Sequence, residues 1–387
     1  MRVAVVCHFL SHYRWAIFNL LCRQADPEYV IFADTVGRES IETIDFGRAQ
    51  ISPECGGLRW KRVKNIWFGR AFLWQSGVLR IALDNRIDCI VFLGTMYHFS
   101  SWVSAILARI TGKRVLMWTH GYLREEKNLK GWVREQFYRL ADGLLLYGNR
   151  AREILLKRGF NPTDLHVVYN SLNYDEQRRV REMTSPDLLL ALREKLFAAP
   201  RLPVLIYIGR LTPQKKLLQL LQAAHLLKTE KVLVNVLLVG DGSEKNILVE
   251  AAGQYGIADH VVWYGPCYRE EELGPLIMLA DICIAPGEIG LTCMHALAYG
   301  TPVITHDNPD CQMPEWEAVQ PGMNGDLFRQ DDVPDLARAV REWLGNSRIR
   351  EQVRLNCRQI IDAHYNPSSQ VGIINDAVAG RPAPTTP

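Results

Sequence analysis

Residues 285–305 read APGEIGLTCMHALAYGTPVIT, and this stretch determines the fold predicted for the second half of the chain. A loop punctuated by glycines leads into residues 292–299, which have helical periodicity, and Gly300 is placed to cap this helix at its C-terminus. The short apolar runs 282–285 and 302–305 flank the loop and the helix. Strand, glycine loop, helix and strand in this order predict one repeat of a parallel α/β sheet.

The loop has the composition of an anion-binding helix start. Gly290 lets the backbone approach a ligand closely, and the first N–H groups of the helix, at Leu291 and Thr292, have no acceptor within the helix. The helix dipole favours a negative charge at the same place. A purely structural loop is the alternative. Glu288 and His295 add a carboxylate and an imidazole near this helix start.

A second feature, YIGRLTPQKK at residues 207–216, points to the same chemistry. A predicted strand ends at Gly209, Arg210 follows at once, and Lys215 lies near the start of the next helix. Two cations at a strand end suit a diphosphate, since Arg can form bidentate contacts. The alternative is a solvated basic helix start, which is unfavourable without an anion.

The same alternation of short apolar runs and helical patterns extends along the whole chain. It predicts an α/β protein with two Rossmann-like, doubly wound domains facing a central cleft, with ligands beyond the C-terminal strand ends. We place the N-terminal domain at residues 1–185 and the C-terminal domain at 200–355, with a polar link within 173–200. Residues 356–379 are expected to form helices that pack back towards the first domain, and 380–387 a disordered tail.

The bulk composition excludes several classes of protein. The chain has 387 residues, a net charge of +3, too small to indicate nucleic acid, and nine cysteines without zinc-ligand spacing. We interpret the cysteines as free thiols in a reducing cytosol. The N-terminus does not read as a signal peptide, so we expect a cytoplasmic protein. The cysteines are Cys7, Cys22, Cys55, Cys89, Cys267, Cys283, Cys293, Cys311 and Cys357.

The motif GRLxxxK at 209–215, followed by GxxGLxxxxALAYGTPVI at 287–304, resembles the GT-B fold glycosyltransferases, specifically the large retaining family 4. Three further segments resemble that family in the same order along the chain: HVVYNSLNYD at 166–175, LLVGDGSE at 237–244 and VVWYGPC at 261–267. Several motifs in the right order are far more specific than any one of them. The resemblance covers nearly the whole chain.

The resemblance implies retaining transfer of a sugar from a UDP- or GDP-sugar to a glycan or lipid-linked saccharide, without a metal ion. It also implies a part for His120, which ends a predicted strand in LMWTHGY, in contacting the donor sugar and its phosphate. A simple turn residue is the alternative for His120. The positions that it assigns to donor binding are Gly209, Arg210, Lys215, Cys267, Gly290, Leu291, Thr292 and His295.

The family usually has a pair of Glu residues with seven residues between them, and this chain departs from that pattern. Aligning Gly290 with the family pattern puts the first Glu on Gly287 and the second on His295, so Glu288 is displaced by one. His295 can replace the second Glu as the ribose ligand, through either ring nitrogen. Glu288 can reach the donor sugar from its shifted position. A polar helix residue and an exposed loop carboxylate are the respective alternatives.

Residues 58–80 are rich in cations and aromatic side chains, with no acidic residue between Glu54 and Asp84. Such a mixture suits an anionic membrane surface, and hence a peripheral position on the cytoplasmic face of a membrane. The alternatives are a helix with a basic exposed face, or nucleic acid. His8, His12 and Arg14 match the family's acceptor loop, or simply pack.

Two other functions remain open at this point. The fold also suits an epimerase or hydrolase that acts on a nucleotide-sugar. The altered Glu pair also allows a non-catalytic protein that binds a nucleotide-sugar.

Overall fold

Most of the apolar runs form buried parallel strands, and these belong to two separate units of the chain. The computed structural model describes residues 1–35, 37, 43–44, 47, 57–345 and 349–384. The first unit comprises Met1–Asn173 and Asn366–Pro387, and the second comprises Tyr174–Tyr365. The first boundary therefore falls at residue 173 and not at the predicted 185, and the chain returns to the first unit at Asn366.

A seven-stranded parallel sheet forms the centre of the first unit, in the order β3-β2-β1-β6-β7-β8-β9. Its strands are β1 (Arg2–Phe9), β2 (Glu28–Asp34), β3 (Trp60–Arg62), β6 (Cys89–Leu93), β7 (Arg114–Thr119), β8 (Gly143–Leu146) and β9 (Leu165–Val167). A separate antiparallel hairpin consists of β4 (Lys64–Phe68) and β5 (Phe72–Ser76). Its helices are α1 (Trp15–Arg23), α2 (Val78–Leu83), α3 (Phe99–Ile110), α4 (Leu129–Tyr138), α5 (Asn149–Lys157) and α14 (Pro367–Val378).

Apolar side chains alternate along β1 between two cores, one on each face of this sheet. Val3 and Val5 pack with α1 and α14, whereas Ala4 and Val6 pack with α2, α3, α4 and α5. Helices on both faces explain why the strands are apolar almost throughout, since neither face meets water.

The second unit has a six-stranded parallel sheet in the order β12-β11-β10-β13-β14-β15. Its strands are β10 (Val204–Ile208), β11 (Asn235–Val239), β12 (Val261–Gly265), β13 (Ile282–Ala285), β14 (Val303–His306) and β15 (Gly325–Phe328). Its helices are α6 (Tyr174–Met183), α7 (Pro186–Leu196), α8 (Leu217–Thr229), α9 (Lys245–Gln254), α10 (Glu270–Leu279), α11 (Leu291–Ala298), α12 (Val333–Gly345) and α13 (Arg350–Ala363).

The polar segment predicted as a domain link is helical, which corrects that prediction. It forms α6 and α7, both within the second unit. Ser185 caps α7 by accepting a hydrogen bond from the Leu188 N–H, and Pro186 takes the first helical position, where its missing N–H costs nothing. Charged residues that look like a linker are thus the exposed sides of two short helices.

Residues near the C-terminus belong to the first unit, and the described part of the tail is packed. Tyr29 donates to the Asn375 side chain at 2.6 Å, and the Arg114 Nε donates to the Ala377 carbonyl at 2.8 Å. Beyond α14, Ala383 is buried and its N–H donates to the Thr163 carbonyl. The prediction of a disordered tail is therefore wrong for residues 381–384, and residues 385–387 lie outside the described ranges.

The structure also bears on the cysteines and on membrane spans. The eight cysteines in the described ranges are free thiols, six of them buried, and Cys55 lies outside those ranges. None of the helices described for this chain has both the length and the apolar character needed to cross a bilayer.

Candidate active site

The glycine loop after β13 runs directly against the turn that follows β10. A Cβ added to Gly287 would lie 2.1 Å from the Gln214 carbonyl oxygen, so a larger residue would push the two backbones apart. The Gly287 N–H donates to the Lys215 carbonyl at 3.1 Å. This close approach brings together the two segments that the sequence marked as phosphate-binding.

Lys215 and Glu288 form an ion pair across this contact. The Lys215 ammonium donates to the Glu288 carbonyl at 2.9 Å and lies 3.4 Å from Glu288 Oε1. The lysine side chain is 19% exposed and the carboxylate 41%. A partly exposed pair of this kind is worth little free energy. The ammonium is therefore fixed in place by its backbone contact more than by the carboxylate.

Helix α11 begins immediately after this loop and points its N-terminus into the site. Gly290 is its N-cap and supplies no side-chain cap. Leu291 and Thr292 form its first turn, where backbone N–H groups have no acceptor within the helix. The Thr292 hydroxyl donates to the Ile208 carbonyl at 2.8 Å, which fixes the first turn of α11 against the end of β10.

A buried glutamine that the sequence did not indicate fixes the glycine loop after β13 by hydrogen bonds. The Gln312 Oε1 accepts from the Ile289 N–H at 2.9 Å, and its Nε2 donates to the Thr305 hydroxyl at 2.8 Å. Because both ends of the amide are used, the loop is fixed to the end of β14. Nothing in the spacing of the sequence could have assigned this role to Gln312.

Gly209 and Arg210 follow β10 at the same sheet edge. Gly209 has a φ of 137°, and a Cβ on Gly240 of the next turn would lie 1.9 Å from the Gly209 carbonyl oxygen. Such close packing of two strand ends leaves room only for backbone. Arg210 is exposed beside this turn, whereas Lys215 is half-buried.

His295 lies on the exposed side of α11, one turn beyond Thr292. Its Nδ1 is 3.3 Å from the Gln177 Nε2 and 3.7 Å from the Glu270 Oε1. Glu270 in turn accepts a hydrogen bond from the Tyr299 hydroxyl at 2.6 Å. With Nδ1 turned to these groups, a ribose contact from His295 would use Nε2.

Gln177 and Glu270 are site residues that the sequence reasoning missed. Glu270 is the first of three successive glutamates at the start of α10, a pattern that also fits simple interaction with the helix dipole. Gln177 comes from α6, in the segment interpreted as a link. Neither residue had a spacing that pointed to His295.

Cys267 follows β12, on the turn beside those of β10 and β11. The N–H of Gly240 donates to the Gly265 carbonyl at 2.8 Å, which joins these neighbouring turns. Cys267 is partly buried, and this burial raises the pKa of its thiol. A neutral thiol at this place suits a contact with an uncharged group such as a nucleobase.

In the first unit, His120 follows β7 beside a cluster of aromatic rings around Arg14. The ring of His120 lies 4.5 Å from that of Tyr147, measured between centroids. Arg14 donates to the Tyr147 hydroxyl and lies over the Trp118 ring, 5.0 Å from its centroid. Desolvation and the charge of Arg14 both lower the pKa of His120. Since the pKa is lowered to about 4, the imidazole of His120 is neutral at pH 7.

The two histidines of the predicted acceptor loop, His8 and His12, differ in their contacts and in their exposure to solvent. His8 packs edge-on against Phe9 and His98, with centroid distances of 4.6 and 5.6 Å. His12 is exposed at the start of a single turn of 3₁₀ helix. His8 thus packs against aromatic rings, and His8, His12 and Arg14 all remain candidates for contacts with the acceptor.

Within the described ranges, no group of three or more His, Cys, Asp or Glu side chains is arranged to hold a metal ion. The groups that can meet a diphosphate in the second unit are the cations and backbone amides described above.

Two Rossmann-like units in one chain are the architecture of the GT-B glycosyltransferases. HepE of Anabaena, solved in complex with UDP, superposes on this chain with a TM-score of 0.74 at 17% identity. The superposition covers 98% of this chain and 100% of HepE. This likeness establishes the fold.

Family models identify the chain more closely. The model described as Glycosyl transferases group 1 matches residues 191–360, and the model for Glycosyltransferase Family 4 matches residues 22–176. The chain belongs to this family and is a glycosyltransferase. Among its curated relatives is alpha-D-kanosaminyltransferase of Streptomyces kanamyceticus, 22% identical over 78% of this chain and 82% of the relative. Another is lipopolysaccharide 1,6-galactosyltransferase of Salmonella typhimurium, 23% identical over 62% and 67%.

Proposed function

We propose that the chain transfers a sugar from a UDP- or GDP-sugar to a saccharide or lipid-linked saccharide, with retention of configuration, in polysaccharide or glycolipid synthesis. The names of the relatives support this class, since one is a galactosyltransferase of lipopolysaccharide and one transfers an amino sugar. HepE binds UDP, which supports a uridine diphosphate donor.

The observation that carries the proposal is the contact between Lys215 and the loop Gly287–Thr292. A half-buried ammonium, the first turn of α11 and a backbone loop fixed by Gln312 converge at the strand ends of the second unit. Cations and amides arranged in advance around one point stabilise a leaving diphosphate at little cost in reorganisation. Arg210 adds a further cation at the same sheet edge.

The proposed reaction takes retention from the family resemblance and the part of each residue from the roles above. The bond between the anomeric carbon and the diphosphate oxygen breaks as the acceptor hydroxyl attacks on the same face of the sugar. The proton of that hydroxyl passes to the leaving phosphate oxygen, and no enzyme nucleophile is required. Lys215, Arg210 and the amides of α11 neutralise the diphosphate. His295 holds the ribose and Glu288 the sugar, and the resemblance assigns the sugar and its phosphate also to the neutral His120.

Two further properties belong to this proposal. The transfer needs no metal ion, because the protein's own cations and amides meet the diphosphate. The protein contacts the cytoplasmic face of an anionic membrane through residues 58–80, where a lipid-linked acceptor would lie. The basic and aromatic composition of that segment supports the second property.

The test is nucleotide release from a panel of nucleotide-sugars, with and without saccharide acceptors. A transferase releases nucleoside diphosphate only when an acceptor is present, whereas a hydrolase releases it without one and a binding protein releases none. The anomeric configuration of the product decides retention. Arg210→Ala should lower turnover at least about tenfold with the fold intact, because a charge-assisted contact to the leaving group is lost.

A further inference from the structure

Helix α3 of the first unit exposes four large apolar side chains, whereas Trp102 and Leu107 pack partly against the core. Phe99, Val103, Ile106 and Ile110 lie on the solvent side and are between 40% and 75% exposed. Their spacing of four, three and four residues places them in one stripe along the whole helix. The side chains that it buries are all small: Ser100, Ser101, Ser104, Ala105 and Ala108.

The buried serines are used in packing and do not explain the exposed face. The Ser100 hydroxyl accepts from the Gln75 N–H at 3.0 Å, so α3 lies close against β5. A helix whose outer face met only water would carry polar residues there. The apolar stripe therefore indicates an apolar surrounding for that face.

The hairpin β4–β5 continues the stripe beyond the start of α3. The Phe72 ring stacks on the Phe99 ring, with centroids 4.9 Å apart and an angle of 7° between the ring planes. Phe68 pairs with Phe72 across the hairpin and is also exposed. Two amides fix the hairpin to β1, since the Asn65 Nδ2 donates to the His8 carbonyl and the Gln75 Nε2 to the Cys7 carbonyl.

The charged side chains on these elements are basic, and Asp84 after α2 and Asp142, which contacts Arg109 of α3, are each paired with an arginine. No Asp or Glu occurs in residues 57–83 or 89–124, which include the hairpin, α2 and α3. Lys64 on the hairpin, Arg70 at its tip and Arg80 on α2 are exposed. An apolar stripe with cations and no carboxylate along these elements is complementary to an anionic lipid surface.

Two other cations of the basic segment 58–80 form hydrogen bonds within the fold, whereas Lys61 is exposed. Arg59 donates to the carbonyls of Cys22 and Gln24, and Arg62 donates to the Asp34 carboxylate at 3.1 Å. That segment therefore offers a membrane fewer cations than its composition suggests, and α3 adds four exposed apolar side chains to those of the hairpin.

We infer that the apolar stripe of α3, with Phe68 and Phe72 of the hairpin, docks the protein on an anionic lipid bilayer. The stripe lies at the boundary between headgroups and acyl chains, and Lys64, Arg70 and Arg80 contact anionic headgroups. This inference rests on the proposed function for its purpose, because docking would bring the first unit to a lipid-linked acceptor.

The experiment uses the full chain and sedimentation with phosphatidylglycerol–phosphatidylcholine vesicles. The double variant Ile106→Asp, Ile110→Asp should lower vesicle partitioning by about tenfold or more, because two charges would have to enter the acyl boundary. The matched control is Ile247→Asp, a similarly exposed position on α9 of the second unit, which should bind as the wild type does. Lys64→Glu with Arg70→Glu should weaken binding to anionic vesicles at low salt and make the remaining binding less sensitive to salt, because less charge attraction is left to screen.

Wild-type protein that stays in the supernatant with anionic vesicles would overturn the inference. Sedimentation of the Ile106, Ile110 variant to the same extent as the wild type would also overturn it. Transfer to a water-soluble acceptor is measured on the same samples. Normal transfer by protein that does not bind vesicles would leave the proposed function standing and reject only the membrane surface. If the wild type binds vesicles and the variants do not, but no transfer is detected, the membrane surface stands and the proposed function is rejected.

Discussion

The Lys215 ammonium lies 2.9 Å from the carbonyl oxygen of Glu288 and 3.4 Å from one oxygen of its carboxylate. The cation that we assign to the diphosphate is thus paired, in this structure, with the carboxylate that we assign to the sugar. Since the carboxylate is 41% exposed, a diphosphate can displace it at small cost. We expect Lys215 to exchange Glu288 for the diphosphate when the donor binds.

Glu288→Gln tests this exchange. The substitution removes a negative charge beside the phosphate site, so affinity for nucleoside diphosphate should stay the same or increase, while kcat falls because the sugar contact is altered. Calorimetric titration with nucleotide alone and steady-state kinetics measure the two effects. A loss of nucleotide affinity in Glu288→Gln, with His295→Ala unaffected, would reverse the two assignments and make Glu288 the ribose ligand.

His295→Ala should weaken the binding of nucleoside diphosphate by about 1–2 kcal/mol, the size of one or two lost hydrogen bonds. KM for the donor should rise with a smaller change in kcat, because the ribose contact is the same in the ground state and the transition state. Gln177→Ala, which removes a neighbour of His295 Nδ1 and leaves the imidazole, is the control and should have the smaller effect. Equal affinities for wild type and His295→Ala would exclude the ribose role.

Chelation tests the proposed independence of metal. Activity should survive EDTA, because Lys215, Arg210 and the first amides of α11 stabilise the leaving diphosphate. Initial rates are compared before and after chelation, with added magnesium and manganese as controls. Loss of activity on chelation that either ion restores would show that the diphosphate requires a metal.

His166 on β9 should make stability depend on pH. Burial, and then the charge of Arg114, lower the pKa of His166 to about 4. The unfolded chain takes up this proton near pH 6.5, so unfolding becomes easier as the pH falls from there towards 4. His166→Leu should therefore lose less stability than the wild type between about pH 7 and pH 5. Denaturant midpoints of both proteins at each pH measure this, and parallel pH profiles would contradict it.

Much of the fold could be predicted because its strands are buried on both faces. Val204–Ile208 and Ile282–Ala285 are continuous apolar runs that end at polar or glycine-rich turns, and their bounds agree with the structure. The hairpin 64–76 was harder, because its alternating basic and aromatic residues also fit a helix with one basic face. Residues 173–200 were interpreted as a link because many of them are charged, although Ser185 and Pro186 are typical of a helix start.

The sequence predicted several residues of the candidate site but not the contacts between them. Gly287, Glu288 and Lys215 could be singled out from motifs, but Lys215 and Glu288 are 73 residues apart in the chain. Their pairing depends on the close approach of two backbones at Gly287, which spacing does not encode. Gln312 and Glu270 act through tertiary hydrogen bonds and carry no local signal.

The central claim is that Lys215 and the loop after β13 bind a nucleoside diphosphate, and the most direct test compares two adjacent lysines. Lys216 is the matched control, since its ammonium is held by the Asp331 carboxylate at 2.6 Å and takes no part in the loop. UDP and GDP are titrated into wild type, Lys215→Ala and Lys216→Ala by calorimetry. We predict that at least one nucleotide binds the wild type and Lys216→Ala alike, and binds Lys215→Ala about tenfold or more weakly. Failure of both nucleotides to bind the wild type, or equal affinity for Lys215→Ala, would contradict the claim.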